Sequence, residues 1–257
     1  MNQSVVKALN LLELFSEDVH ELTLKEIAFR SNLPKPTAYR LLSSLEEMGF
    51  LYKLKDTEHD SRYRLGLKLL ELGQLVADQL EVRRVALPSM KKLAEEINEA
   101  VHLVVVNHQQ ATYIEKVESN KALRLYTRIG KSSPLYIGSG PKLLLAYLEE
   151  DQQQNILREM NTKSLTEKTI QKEKLMKELT FIREQGYAYS VGEQDTDTTG
   201  ISYPIFDHRN RVIAALTVSG LSSYFTGEGL QKIKTETLQT AMTISEKLGY
   251  RGQLRRD

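Results

Sequence analysis

At 257 residues the chain is too long for one small module and fits two domains of about 100–200 residues each. Its composition, 40% apolar and 27% charged, excludes wholesale disorder, and the absence of cysteine excludes disulfides, thiolate metal sites and cysteine nucleophiles. A formal net charge of +1 means that binding to a polyanion must rest on local segregation of charge.

Residues 1–65 read as three amphipathic helices and a hairpin. The first helix runs from about Ser4, taken as its N-cap, through Val5, Ala8, Leu9, Leu12 and Phe15 at helical spacing. A second opens at Thr23, where Glu26 completes a capping box and Leu24, Ile27 and Ala28 form a short apolar face. Ser31-Asn32-Leu33 breaks that pattern. A third helix starts with Pro34-Lys35-Pro36, where the first turn tolerates residues without an N–H, and ends at Met48 with Gly49 as its C′ residue. A short helix, a tight turn and a longer helix predict a helix-turn-helix.

On the third helix Ala38, Leu41, Leu42, Leu45 and Met48 form the stripe expected to face the core. Arg40, Ser43 and Glu47 lie opposite, with Tyr39 on the flank and Lys35 and Thr37 at the N-terminal end. A helix in a major groove reads bases with its N-terminal and outward side chains. Arg40 suits a bidentate contact to guanine, and Lys35 and Thr37 suit phosphates or base edges. Phe50 to Leu54 and Arg62 to Leu65 alternate as strands around a polar turn, Lys55 to Ser61, which makes a wing. Lys53, Lys55, Arg62 and Arg64 place cations on it. Residues 1–65 nevertheless hold 9 Lys+Arg against 10 Asp+Glu, so contact with DNA requires the acids of Glu13 to Glu21 and of the wing tip to point away.

The run Leu33-Pro34-Lys35-Pro36-Thr37-Ala38-Tyr39-Arg40-Leu41-Leu42, followed by Leu45-Glu46 and Gly49-Phe50-Leu51, resembles the recognition segment of the IclR-type bacterial transcription regulators. Tyr63-Arg64-Leu65-Gly66 with Leu70-Glu71-Leu72-Gly73 resembles that family's wing exit and linker entry. Pro134-Leu135, Lys142 to Ala146, Gly186-Tyr187-Ala188, Pro204-Ile205-Phe206-Asp207 and the Val212 to Gly220 strand resemble its effector domain. The residues themselves give a basic tail over 251–257; the resemblance implies an α+β protein with a winged helix-turn-helix over 1–65, a linker helix over 66–83 and a GAF-like effector-binding domain over 84–250. It also implies operator DNA and a small-molecule effector as partners, in a homodimer or tetramer. Pro36 and Tyr39 replace the usual Ser and His, Gly200 the usual Cys, and Ser139-Gly140-Pro141 the usual Ala-Leu-Gly.

Gly66 to about Val82 carries Leu67, Leu70 and Leu75 on a broad apolar face, for which a second copy of the same helix is the economical cover. Two recognition helices would then meet half-sites about 34 Å apart. Beyond Leu87, helices are expected at 88–97, 139–148, 152–160, 168–184 and 227–247. Strands are expected at 101–106, 111–117, 124–129, 187–191, 201–205 and 212–219, an α+β arrangement. Gly138-Ser139-Gly140-Pro141 precedes a helix, whose free N–H groups suit an anion such as a carboxylate. The family's pocket, carried across, implies Ser139 and Gly140 as backbone donors and Ser190, Thr217 and Ser219 as side-chain partners. Thr198 and Leu125 become wall positions and Gly200 a vacant one, which suits a small acidic or hydroxylated metabolite.

No nucleophile elbow surrounds Ser139, and the five histidines lack metal-binding spacing, so neither catalysis, metal nor cofactor is expected. No apolar run reaches the roughly 20 residues of a membrane helix, and the start Met1-Asn2-Gln3-Ser4 lacks a signal-peptide pattern. The expectation is a cytoplasmic, ligand-responsive repressor. The rival readings are a winged helix that binds only protein and, further behind, a small-molecule enzyme.

Overall fold

A computed structural model describes residues 2–16, 18–57, 60–79, 81–121, 127–160 and 170–252. The chain divides into two compact units, Met1–Gln79 and Leu80–Asp257.

In the first unit, α1 (Gln3–Leu12) is capped by Asn2, whose Oδ1 accepts the Ser4 N–H at 3.0 Å. Ser4 is therefore inside the helix and not its cap. The short strand β1 (Leu22–Thr23) leads into α2 (Leu24–Arg30) through the expected capping box. Thr23 Oγ1 accepts the Glu26 N–H at 3.2 Å, and Glu26 Oε2 accepts the Thr23 N–H at 2.8 Å. α3 (Lys35–Glu47) follows, with Pro34 as its N-cap and Gly49 at φ +76° beyond its end. Ala38, Leu41, Leu42 and Leu45 are buried with Leu11, Ile27, Leu51 and Tyr63. Met48, expected in that stripe, is 65% exposed, because as the C-cap it lies where the chain already turns towards Gly49.

The wing is longer than its alternation suggested: β2 (Leu51–Thr57) and β3 (Asp60–Leu65) extend nearly to its tip. β1 pairs with the outer edge of β3, giving a three-stranded sheet in the order β1-β3-β2. A two-residue strand has no period to read, so that pairing was invisible in the sequence. A Cβ at Gly66 would stand 2.1 Å from the Gly49 carbonyl oxygen, and the Gly66 N–H donates to Phe50 O at 2.8 Å. The exits of α3 and of the wing are thus locked backbone to backbone at a position only glycine fits. α4 (Leu67–Gln79) closes the unit.

Of the helix expected over 66–83, α4 covers Leu67–Gln79, residue 80 lies outside the described residues, and residues 81–83 belong to α5 (Glu81–Ile97). Pro88, taken as the start of a helix, lies inside α5. The second unit continues with β4 (Ala100–Asn107), β5 (Gln110–Val117), β6 (Ser132–Pro134), α6 (Ser139–Tyr147), α7 (Glu150–Glu159) and α8 (Lys172–Gln185). It ends with β7 (Ala188–Val191), β8 (Thr198–Phe206), β9 (Val212–Leu221) and α9 (Gly227–Lys247). Of the strand expected at 124–129, residues 124–126 (Leu125 among them) lie outside the described residues. Residues 127–129 are not strand, and β6 forms just after them.

The strands form one six-stranded antiparallel sheet in the order β6-β5-β4-β9-β8-β7. One face packs Val101, Leu103, Leu216 and Val218 against Met90 and Leu93 of α5 and Ile244 of α9. The other packs Val104, Tyr113 and Ala215 against Leu143 to Ala146 of α6, with α7 and α8 outside. Strand alternation sends His102 and Val104 to the α6 side. Leu103 pairs with Glu115 but Val104 with Tyr113, so Ile114 is the extra residue of a bulge. That bulge turns the Tyr113 ring towards His102, edge-on at 5.6 Å between centroids.

Candidate functional site

Two sites emerge, one in each unit. On α3 Lys35, Tyr39 and Arg40 are exposed, as are Pro36, Ser44 and Glu47, while Thr37 and Ser43 are half-buried. The wing cations split by strand parity. Lys53 pairs across the ladder with the buried Tyr63, and its Nζ lies 5.9 Å from the centre of the Tyr39 ring, alongside the recognition helix. Arg62 and Arg64 point to the opposite face, where Glu21 meets both: Arg64 Nε donates to Glu21 Oε1 at 2.6 Å, and Arg62 stands 3.6 Å from Oε2. Hydrogen bonding from Arg64 holds the Glu21 carboxyl below its usual range. One of the acids that threatened DNA contact is therefore spent on wing cations, and these two arginines are less available than their sequence positions implied. The Lys55 side chain lies outside the described residues.

In the second unit a cavity lies beneath the N-terminus of α6. Ser139, Gly140, Ser190, Thr198, Gly200, Thr217 and Ser219 all line it, which gathers every expected effector residue except Leu125. Gly140 lets α6 approach β9, since a Cβ there would stand 2.6 Å from Thr217 Oγ1. Gly138, at φ +92°, is the N-cap and gives no side-chain hydrogen bond, so the first-turn N–H groups of Ser139 and Gly140 have no intrahelical acceptor.

The expected side-chain roles are changed by internal pairing. Ser202, which sequence reasoning missed, donates to Ser139 Oγ at 2.8 Å and lies 2.8 Å from Thr217 Oγ1. Thr198 Oγ1 donates to the Asp195 carbonyl at 2.7 Å. Nor is Gly200 a vacancy: a Cβ there would stand 2.6 Å from Ser139 Oγ, so the serine hydroxyl fills the space.

His102, Tyr113, Thr127, Glu193, Gln194, Asp195 and Thr199 also line the cavity and were not foreseen. His102 Nε2 lies 2.9 Å from Ser219 Oγ, while Nδ1 is buried without a hydrogen-bond partner. Burial, reinforced by the charge of Lys116, pushes the imidazole pKa down to about 3 and keeps the ring neutral. The unfolded chain therefore takes up the proton first. Stability is full above about pH 6.5 and lost as pH falls towards 3, by about 2 kcal/mol at pH 5. Thermal melts from pH 7 to 5 are expected to fall for the native chain and to flatten in His102→Gln.

The cavity offers about 30 Å³ for water centres, room for one or two waters, so a larger ligand must displace something. A broader groove of about 1020 Å³ between α7 and α8, lined by Leu157, Lys177, Arg183 and Glu184 among others, is open to solvent and holds none of the buried unpartnered polar atoms. Among the described residues no cluster of His, Asp or Glu could hold a metal ion, and no helix is long and apolar enough to cross a membrane.

A winged helix-turn-helix joined to an α+β unit with an enclosed polar cavity defines a DNA-binding regulator with a small-molecule sensing domain. Residues 4–55 match the IclR helix-turn-helix domain, and residues 74–246 match the family described as bacterial transcriptional regulator IclR C-terminal. The chain belongs to the IclR family of bacterial transcriptional regulators.

It is 38% identical over 252 residues to the HTH-type transcriptional regulator KipR of Bacillus subtilis, covering 97% of this chain and 98% of that one. It is 25% identical over 253 residues to the transcriptional repressor IclR of Escherichia coli, covering 97% and 90%. The crystal structure of an IclR homolog from Microbacterium hydrocarbonoxydans, complexed with 4-hydroxybenzoate, matches with a TM-score of 0.82 at 25% identity over 96% of this chain and 99% of that one. These relatives are regulators and not enzymes, which sets aside the catalytic and protein-only readings.

Proposed function

We propose that this chain is a cytoplasmic repressor that binds operator DNA as a symmetric dimer or tetramer and responds to a small acidic or hydroxylated metabolite. The observation that carries this reading is α3, whose buried stripe fixes it in the core while Lys35, Tyr39 and Arg40 face outwards beside Lys53. Symmetric assembly is supported by Leu67, Leu70, Leu72 and Leu75, all exposed along α4, and by Val5 and Leu9 on α1. Such a face seeks a partner, and an identical helix fits it. The repressor relative supports the sign of control, and the 4-hydroxybenzoate complex of a homolog supports a small organic ligand. Coupling between the sites of about 1–3 kcal/mol changes operator affinity roughly 5- to 150-fold.

The test is selection of duplexes from a random-sequence pool by the full chain. An enriched inverted repeat, with half-sites about 34 Å or a multiple of it apart, is the expected result. Retention of all sequences alike, or of none at low salt, overturns the reading.

A further inference from the structure

The N-terminus of α6 already carries a carboxylate. Glu193 Oε2 accepts the Gly138 N–H at 2.8 Å, and Glu193 Oε1 accepts from Lys142 Nζ at 2.6 Å. Lys142 is 1% exposed and also pairs with Glu178 of α8. One buried cation thus faces two carboxylates. This redundancy decides what can leave. A buried charge stripped of its only partner is costly, but Lys142 keeps Glu178 if Glu193 departs. Glu193 is exchangeable in a way a sole partner is not.

A second, independent observation lies in the same cavity. His102 is fully buried, and its Nδ1 has no partner although its other nitrogen is bonded to Ser219. A neutral imidazole nitrogen left bare costs free energy that a ligand hydroxyl would recover. With Glu193 seated on Lys142 no Lys or Arg lines the cavity, whereas Glu193 and Asp195 do, so only one cation becomes available on exchange and a ligand with several negative charges is disfavoured. One carboxylate and at least one hydroxyl fit.

Resting on the effector-sensing reading above, we propose that Glu193 is a built-in competitor, seated where the carboxylate of a small hydroxylated monocarboxylate effector binds. The effector exchanges its carboxylate for that of Glu193 on Gly138 and Lys142. The exchange loosens residues 192–197, which join β7 to β8. Other ties still hold that segment, among them the hydrogen bonds of Gly192 N to Thr198 O, Gln194 to Ile137 O and Tyr113 OH, Thr198 to Asp195 O, and Ser222 N to Asp197 O. Effector arrival is thereby converted into movement at one end of the sheet.

The experiment titrates the full chain and its Glu193→Gln and Glu178→Gln variants by calorimetry with two matched pairs, glycerate against glycerol and gluconate against sorbitol. Each pair shares a carbon skeleton and differs by one carboxylate. Glu193→Gln is expected to bind at least one acid tenfold or more tightly than the native chain, with its uncharged counterpart unchanged. Glu178→Gln, which leaves Lys142 with Glu193 alone, is expected to bind that acid no better than the native chain. Hydrogen exchange at residues 192–197 is expected to be faster in Glu193→Gln without ligand, while protection of β8 and β9 reports that the unit is folded. No gain for either acid, an equal gain for the polyol, or an equal gain in Glu178→Gln overturns the proposal. Duplex retention is scored in the same samples: its loss in the native chain sinks the regulator reading, and the acid titrations alone decide the exchange.

Discussion

Arg40→Ala is expected to weaken binding to the selected duplex by about 1–3 kcal/mol, roughly 5- to 150-fold, and to relax the preference at one base pair. The geometry of α3 sets this apart from loss of any other cation. Arg40 lies opposite Leu41, Leu42 and Leu45, which anchor the helix in the core, and its exposed guanidinium has the planar fork that matches the edge of a guanine. Lys35 at the helix start and Lys53 beside Tyr39 are point charges, suited to phosphates. Their alanine variants are expected to lower affinity evenly across sequences and to reduce the salt slope by about one. Binding isotherms on a panel of single-base variants, repeated over a salt series, separate the two behaviours. Uniform weakening by Arg40→Ala would make it a phosphate contact and move the base-reading role elsewhere on α3. Because Arg40 is exposed and outside the core, its replacement is expected to leave the melting temperature nearly unchanged.

What was legible in the sequence was local. The capping box of Thr23 and Glu26, the prolines at the start of α3 and Gly49 after its end each act within a few residues, and each is where it was read. The polar positions around the cavity came from the family resemblance, since alternation on β9 shows only that Thr217 and Ser219 share a face and the glycine-rich turn only that a helix starts at Ser139. What escaped was pairing between distant segments. Glu21 meets Arg64 43 residues away, and Lys142 meets Glu193 51 residues away; neither partner carries any mark of the other in its own neighbourhood. His102 looked like one of five scattered histidines, since its role depends on the bulge in β5 and on a strand more than a hundred residues later. Gly200 misled for a related reason: a missing side chain reads as empty space until the serine that fills it is placed.

Lys142→Met is expected to cost the second unit about 3–5 kcal/mol, towards the lower end because Glu178 and Glu193 are each about one-third exposed and remain partly hydrated. At about 2–4 °C per kcal/mol for a unit of this size, the melting temperature is expected to fall by roughly 6–12 °C. Methionine keeps the length and most of the volume of the lysine stem, so little of the loss comes from packing. What remains is a pair of carboxylates facing each other across the space that Nζ occupied, next to the helix end that one of them caps. The origin of the loss is separable by adding Glu178→Gln and Glu193→Gln to the same chain. An uncharged trio removes the repulsion and the unpaired charge, and is expected to recover at least half of the lost stability. Equal melting temperatures for the single and triple variants would place the cost in packing around α6 and leave the ion cluster without a stabilising role. Recovery would show that Lys142 holds α6, α8 and the β7–β8 connection together through charge, and that one cation with two acids is the junction through which a ligand at the helix end reaches all three.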